Sequence, residues 1–218
     1  MNIIMAQGQN NRWLEGNPAI HGLPERKHLV SINGRANLLR TFEMLNETAV
    51  VVGWPEYSAH FQSDNLISLD DPGMLANGML QTKDLWGSKR TTFLLGDVIW
   101  SRASLDEALK PHGKWHMMVR EQHGSSERYS LSVNAEMYDH LIMFLGYNYR
   151  IGRLLDIRRW FSQQFPVHMS TRVSRIHDFS RVREVGDWTD DFDTVEEWLK
   201  HGPSICGLAE QEDLSSGL

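Results

Sequence analysis

A glycine set directly after an apolar run opens the chain. Residues 2–5 (Asn-Ile-Ile-Met) lead into Ala6-Gln7-Gly8-Gln9-Asn10-Asn11-Arg12. A residue without a Cβ lets backbone N–H groups face phosphate oxygens, and Gly8 is placed for that. Arg12 adds a planar fork of donors suited to a phosphate. The segment has neither the Gly-Lys-Ser/Thr ending of a P-loop nor the dinucleotide fingerprint. An ordinary polar turn would share its composition, so alone it names no ligand. Two acids are equally suggestive by position. Asp97 closes the run Thr91-Thr92-Phe93-Leu94-Leu95-Gly96, and open α/β sheets bind ligands at that edge. Asp190-Asp191-Phe192-Asp193-Thr194 precedes a helical stretch, where the dipole favours acids and a threonine helps to start the turn.

In order along the chain, these residues resemble the nucleotidyltransferases of the GT-A fold. That group contains sugar-phosphate nucleotidyltransferases, cytidylyltransferases and molybdenum-cofactor guanylyltransferases. Its members open with a strand and a Leu-Ala-Ala/Gly-Gly-x-Gly-x-Arg loop. Pro-Lys, an apolar run, a glycine turn and a helix beginning Pro-Leu-Leu follow. Here the matching residues are Met5-Ala6-Gln7-Gly8, Arg12, Pro24, Lys27, residues 29–32, Gly34 and Leu38-Leu39. Leu94-Leu95-Gly96-Asp97-Val98 is similar to the central strand that ends in the family's metal-binding aspartate. Asp191-Phe192-Asp193-Thr194-Val195-Glu196 is similar to its Asp-Ile-Asp-Thr-Pro-Glu. The chain departs from the pattern at three places. Asn10 replaces the second loop glycine, Gln7 replaces a small residue, and Glu25-Arg26 separates Pro24 from Lys27, so Arg26 rivals Lys27 for the triphosphate.

The resemblance implies an enzyme that joins an NMP from an NTP to a phosphorylated small molecule, most commonly a sugar phosphate, and releases pyrophosphate. It assigns nucleotide contacts to Ala6, Gln7, Gly8, Gln9 and Asn10, and to Asn77 and Gly78, which with Met79 resemble the family's turn ahead of a helix that touches base or ribose. It gives catalytic roles to Arg12 and Lys27, and a divalent metal, Mg²⁺ or Mn²⁺, to Asp97 and Asp193. A hard cation suits such a site because it takes few carboxylates and keeps room for water and phosphates. Two alternatives stay open. A GT-A glycosyltransferase using a nucleotide-sugar should carry Asp-x-Asp where this chain has the single Asp97. A non-catalytic nucleotide-binding protein on the same fold would not need Arg12, Lys27, Asp97 and Asp193 together.

The elements that must position these residues follow from periodicity. Strands are expected at residues 2–5, 49–54, 65–69, 90–100 and 179–185, and helices at 36–46, 74–86 and 193–201. Ser104 would cap a helix to Leu109. Residues 114–122 and 128–133 flank His123-Gly124-Ser125-Ser126 as a hairpin, and 136–165 is largely helical, with a break at Gly146 or Gly152. This order gives an α/β protein: a three-layer α/β/α, mostly parallel Rossmann-like (GT-A) sheet with a β-hairpin and a helical insertion. One domain is expected over 1–203, with an acceptor-side insertion at about 112–178. Gly202-Pro203 should stop the last helix and leave 204–218 disordered.

Composition narrows the partners. With a net charge of −6, a nucleic-acid surface is not expected. No run is long enough for a membrane span, and nothing at the start reads as a signal peptide. Cys206, the single cysteine, fits a reducing compartment, so a cytoplasmic location is expected. The oligomeric state stays open, a homodimer being one option. The ten histidines form no metal motif, since Pro111 and Gly113 break any helix through His112 and His116. Trp86, Trp100, Trp115 and Trp160 read as core, and Arg150, Arg153, Arg158 and Arg159 as a solvated helix face.

Overall fold

The computed structural model describes residues 1–8, 10–69, 75–122, 125–150 and 182–216. Five short strands carry the N-terminal half: β1 (Asn2–Ala6), β2 (Ser31–Ile32), β3 (Arg35–Ala36), β4 (Val50–Gly53) and β5 (Leu66–Ser68). Then come β6 (Arg90–Leu95), β7 (Trp115–Gln122), β8 (Ser125–Asn134) and β9 (Val182–Glu184). The helices are α1 (Asn11–Glu15), α2 (Asn37–Met44), α3 (Leu75–Gln81), α4 (Arg102–Leu109), α5 (Tyr138–Arg150) and α6 (Val195–Ser216). Seven strands form one sheet in the order β5-β4-β1-β6-β8-β7-β9, and β2 pairs with β3 in a separate ribbon. β1 lies between β4 and β6 and is parallel to both, with Met5 opposite Val52 on one side and Leu95 on the other. Its continuous apolar sequence is what a strand covered on both faces requires. β8 is antiparallel to β6 and β7, while β9 returns parallel to β7.

Side chains alternate across β1 and build two separate cores. Ile3 and Met5 pack with Val52, Phe93 and Leu131 beneath α3 (Ala76, Met79) and α5 (Leu141, Phe144, Leu145). Ile4 and Ala6 pack on the other face with Val51 and Leu94 beneath α2 (Leu38, Phe42) and α4 (Leu105, Ala108). This is the expected three-layer arrangement. A third cluster joins Trp13 of α1, Val30, Ile32 and Ile99 to Phe192 and the Val195, Trp198, Ile205 and Ala209 face of α6. It fastens the C-terminal helix beside the end of β1. Among the described residues, no helix is long and apolar enough to cross a membrane.

Several boundaries differ from expectation. The strand read as running to residue 100 ends at Leu95, because Gly96 and Asp97 turn the chain out of the sheet. Ile99 instead makes an isolated antiparallel bridge with Asp190. The capping serine of α4 is Ser101 rather than Ser104; its hydroxyl accepts from the Ser104 N–H. Gly146 lies within α5 and does not break it. Residues 151–181, including Arg153, Arg158, Arg159 and Trp160, lie outside the described residues, as do Met74, His123 and Gly124.

The largest correction is at the C-terminus. α6 runs through Gly202 and Pro203 to Ser216 instead of stopping at residue 201, so 204–216 is helical. Tertiary contacts override the proline. Ile205 and Ala209 continue the apolar face of α6 into the third core. Further on, Asp213 takes Arg40 in a two-point pair, Oδ2 with Nε at 3.0 Å and Oδ1 with Nη2 at 2.7 Å. Arg40 is only 1% exposed, so its charge demands a partner, and this helix supplies it.

Candidate active site

The segment after β6 is built to present Asp97. A Cβ on Gly96 would lie 2.8 Å from the Ala6 Cβ, so only glycine lets this strand end pass against β1. The Gly96 N–H donates to Met5 O at 2.9 Å. Asn37, at the start of α2, pins the same turn by donating its Nδ2–H to Val98 O at 3.0 Å. Ile99 then takes Asp190 O at 2.7 Å and gives its own carbonyl to the Asp190 N–H at 3.2 Å. That pair of bonds brings residues 190–193 alongside Asp97.

Lys27 is placed by its neighbours. It begins a single 3₁₀ turn, Lys27–Leu29, and successive side chains diverge. Arg26 lies on the Trp54 ring at 3.6 Å and its Nε–H donates to Glu56 at 2.8 Å. His28 is buried, its Nδ1 2.9 Å from the Tyr57 hydroxyl, and burial pushes its pKa down to about 4. It is therefore a neutral anchor near pH 7. Lys27, between them, turns inward. Its Nζ is 2.7 Å from Asp97 Oδ2, 3.2 Å from Asp193 Oδ1 and 3.0 Å from Phe192 O. Of the two rival cations, Lys27 stands at the acids and Arg26 does not. Arg12, on α1, pairs with the other oxygen of Asp193 while remaining 67% exposed. Trp13, fully buried beside it, fixes α1 by donating its indole N–H to Pro24 O at 2.9 Å.

Four sequence-selected residues thus converge: Arg12, Lys27, Asp97 and Asp193. Ala6 and Gly8 stand at the end of β1, with Gly8 O accepting from the Trp54 indole at 3.3 Å. Gln9 lies outside the described residues. Gln7 is buried and reaches α3, where a Cβ on Gly78 would lie 1.6 Å from its Oε1. That corrects one expectation. Asn77 and Gly78 are inside α3 rather than in a turn ahead of it, and Gly78 is smooth because Gln7 lies over it.

Further acids complete the site: Asp190 and Asp191, from the segment already quoted, and Glu127, which the sequence did not single out. Carboxylate oxygens of Glu127, Asp190 and Asp191 lie within 4.8 Å of one another. Tyr129 donates to Asp190 at 3.0 Å, and Arg120 approaches that acid at 3.4 Å. Glu127 sits on β8, and nothing local marks it; only the sheet brings it to this edge. These acids, with Phe192, Thr194, Glu196, Glu197, Lys200 and His201, line a cleft of about 490 Å³. Charge is not evenly matched. Burial, then the charges of Asp97 and Glu127, raise the Asp191 pKa to about 9, and burial raises that of Glu127. For Asp97, burial acts upward, but Lys27 overrides it and holds the carboxyl below its ordinary range. For Lys27, burial acts downward, and Asp97 and Asp193 more than offset it. The donor set is all oxygen and rich in carboxylate, and an ammonium already stands where a cation is wanted. It fits a hard divalent ion.

Among the other histidines, His112 lies 2.8 Å from Glu107 and His116 bonds Ala108 O at 3.1 Å, which are structural partners. Trp100 and Trp115 are core residues, as expected.

No protein-family model and no curated protein sequence matches the chain. Solved structures do. A structure described as a glucose-1-phosphate thymidylyltransferase from Bacillus anthracis, in complex with a sucrose, aligns with a TM-score of 0.57 at 14% identity, covering 95% of this chain and 94% of that one. The inositol-1-phosphate CTP transferase from T. maritima gives 0.64 at 10% identity, over 94% of each chain. The CTP:phosphocholine cytidylyltransferase from Streptococcus pneumoniae gives 0.56 at 13%, over 91% of this chain and 96% of that one. The chain has the fold of NTP-transferase-like nucleotidyltransferases.

Proposed function

We propose that the protein is a metal-dependent nucleotidyltransferase that moves an NMP from an NTP onto a phosphorylated small molecule, a sugar phosphate being the acceptor we favour. One observation carries this reading: Asp97 and Asp193, almost a hundred residues apart, share the ammonium of Lys27 beside the loop that ends β1. The fold's solved relatives named above are nucleotidyltransferases, which supports the same choice.

The chemistry is an in-line displacement. An acceptor phosphate oxygen forms a bond to the α-phosphorus, and the bond from that phosphorus to the bridging oxygen breaks. Pyrophosphate leaves with the electron pair. The attacking oxygen is already anionic, so the site needs no general base, and His28 is buried with its Nδ1 engaged by the Tyr57 hydroxyl at 2.9 Å. What the site must supply is position and positive charge. Residues 6–10 would receive the nucleotide. Arg12 is exposed enough to swing onto the triphosphate, and Lys27 could follow if its carboxylates had another cation. Asp97 and Asp193, with Asp191 adjacent, would hold Mg²⁺ or Mn²⁺. Such an ion supplies Lewis-acid neutralisation of phosphate charge.

The test is pyrophosphate release from each of the four NTPs with a panel of phosphorylated acceptors. Asp97→Asn keeps the shape of the side chain and should lower the rate by at least about a hundredfold. Near-normal turnover of that variant with Mg²⁺ would overturn the assignment. Sugar transfer without pyrophosphate would favour the glycosyltransferase alternative.

A further inference from the structure

The geometry points to the side-chain amide of Asn10 as a triphosphate ligand specific to this chain, a role that rests on the nucleotidyltransferase reading. Asn10 holds left-handed backbone, φ 58°, where glycine would ordinarily be used. An asparagine just ahead of a helix usually turns its side chain onto the first N–H groups. This one makes no such bond. It is 9% exposed, and among the described residues neither its Oδ1 nor its Nδ2 has a partner, although both are sealed from water. Buried amides are nearly always satisfied, so an amide left unsatisfied on both atoms needs a reason.

Its position supplies one. A Cβ built on Gly8 would stand 3.5 Å from Asn10 Oδ1, so the amide lies along the face of Gly8 that has no side chain. That is the face by which a glycine loop admits a phosphate to its backbone. A triphosphate entering there would displace the amide from Gly8 and meet its N–H₂, a neutral donor that adds to the cations Arg12 and Lys27. Ligand binding would then satisfy an amide that folding alone leaves without a partner, and the energetic gain appears only in the complex.

Two variants separate this from a structural role. Asn10→Gly keeps access to the left-handed conformation and deletes only the amide. Asn10→Asp keeps the shape but puts a carboxylate against the phosphates. The measurements are Tm without ligand and Kd by calorimetry, with Mg²⁺, for whichever of the four NTPs binds the wild-type protein most tightly. The ligand-free Tm of Asn10→Gly should be unchanged or raised, while its Kd weakens roughly tenfold, the size of one hydrogen bond to a charged group. Asn10→Asp should bind more weakly still. Binding within twofold of wild type by either variant would overturn the assignment, as would a fall in ligand-free Tm of Asn10→Gly. If the wild-type protein binds none of the four NTPs, the nucleotidyltransferase reading fails with it, a result distinct from intact binding that ignores residue 10.

Discussion

Replacing Lys27 by methionine isolates the energetic centre of the site. The Lys27 side chain is 10% exposed and its Nζ has three oxygen neighbours, at 2.7 Å (Asp97), 3.0 Å (Phe192 O) and 3.2 Å (Asp193). Methionine preserves the stem and removes the charge, leaving two partly buried carboxylates facing each other. Breaking a buried pair by removing one partner costs about 3–5 kcal/mol, and water reaching Asp97 and Asp193 puts this case at the lower end, about 3 kcal/mol. In a chain of 218 residues that corresponds to a Tm about 6–12 °C lower. The loss depends on pH with a definite sign. Asp97 is held below its ordinary pKa, so its pairing contributes stability above the unfolded carboxyl pKa and loses it as pH falls through the folded value. The Tm gap between wild type and Lys27→Met should therefore be widest near neutral pH and narrow as pH falls below about 4. Thermal unfolding in matched buffers reads both. Adding Mg²⁺ should raise the Tm of the variant more than that of wild type, because the ion meets the same two acids without competition from an ammonium. A neutral-pH gap below about 2 °C would refute the ledger, as would one that grows on acidification.

Other positions make narrower claims. Gly78→Ala puts a methyl where Gln7 Oε1 stands, 1.6 Å away, and should cost about 1–3 kcal/mol by chemical denaturation. The double variant with Gln7→Ala should recover most of that loss, and failure to recover would place the strain elsewhere. Asp213→Asn leaves the buried Arg40 without its two-point partner and should lower stability by roughly 3 kcal/mol, with earlier proteolysis of α6. Asp191 titrates near pH 9 in the fold, well above an unfolded aspartate, so it contributes stability at low pH that is lost as pH rises through about 9. Without metal, Asp191→Asn should therefore stabilise the protein progressively more between about pH 5 and pH 9; a flat difference would contradict the raised pKa.

The parts of the site legible in sequence are those whose local setting is itself the signal. Gly8 and Asp97 each follow an apolar run that ends at the sheet's ligand edge, and Asp193 precedes a helix. Their order along the chain could therefore be matched to a pattern. Lys27 could not be separated from Arg26 that way, because the choice depends on Trp54 and Glu56 drawing Arg26 outward. Glu127 was invisible for a similar reason. Its place beside Asp190 and Asp191 comes from the antiparallel return of β8, and no residue near it in sequence records that. Asn77-Gly78 misled because asparagine and glycine carry the same turn signal whether the glycine is needed for its backbone or, as here, for the space that Gln7 fills.

The C-terminal helix shows where local rules give way. Gly202-Pro203 is a strong stop by propensity, and the residues beyond it are small and acidic, so a window of sequence favours an ended helix and a solvated tail. The opposing terms are non-local. Arg40 is buried in α2, and its Nη1 is already committed to Trp100 O at 2.7 Å. The charge on its remaining nitrogens must still be met, and Asp213 meets it, with Glu212 at 3.6 Å. Glu212 also accepts the Arg102 N–H at 2.9 Å, at the first residue of α4. An uncompensated buried guanidinium costs more than the about 3 kcal/mol of an interior proline, so the helix continues. The acids that looked like a solvating tail are the counter-charges of the domain's own core. Because α6 begins beside Asp193 and ends on Arg40, it ties the proposed metal-holding segment to the helix that starts at Asn37, the residue pinning the Asp97 turn.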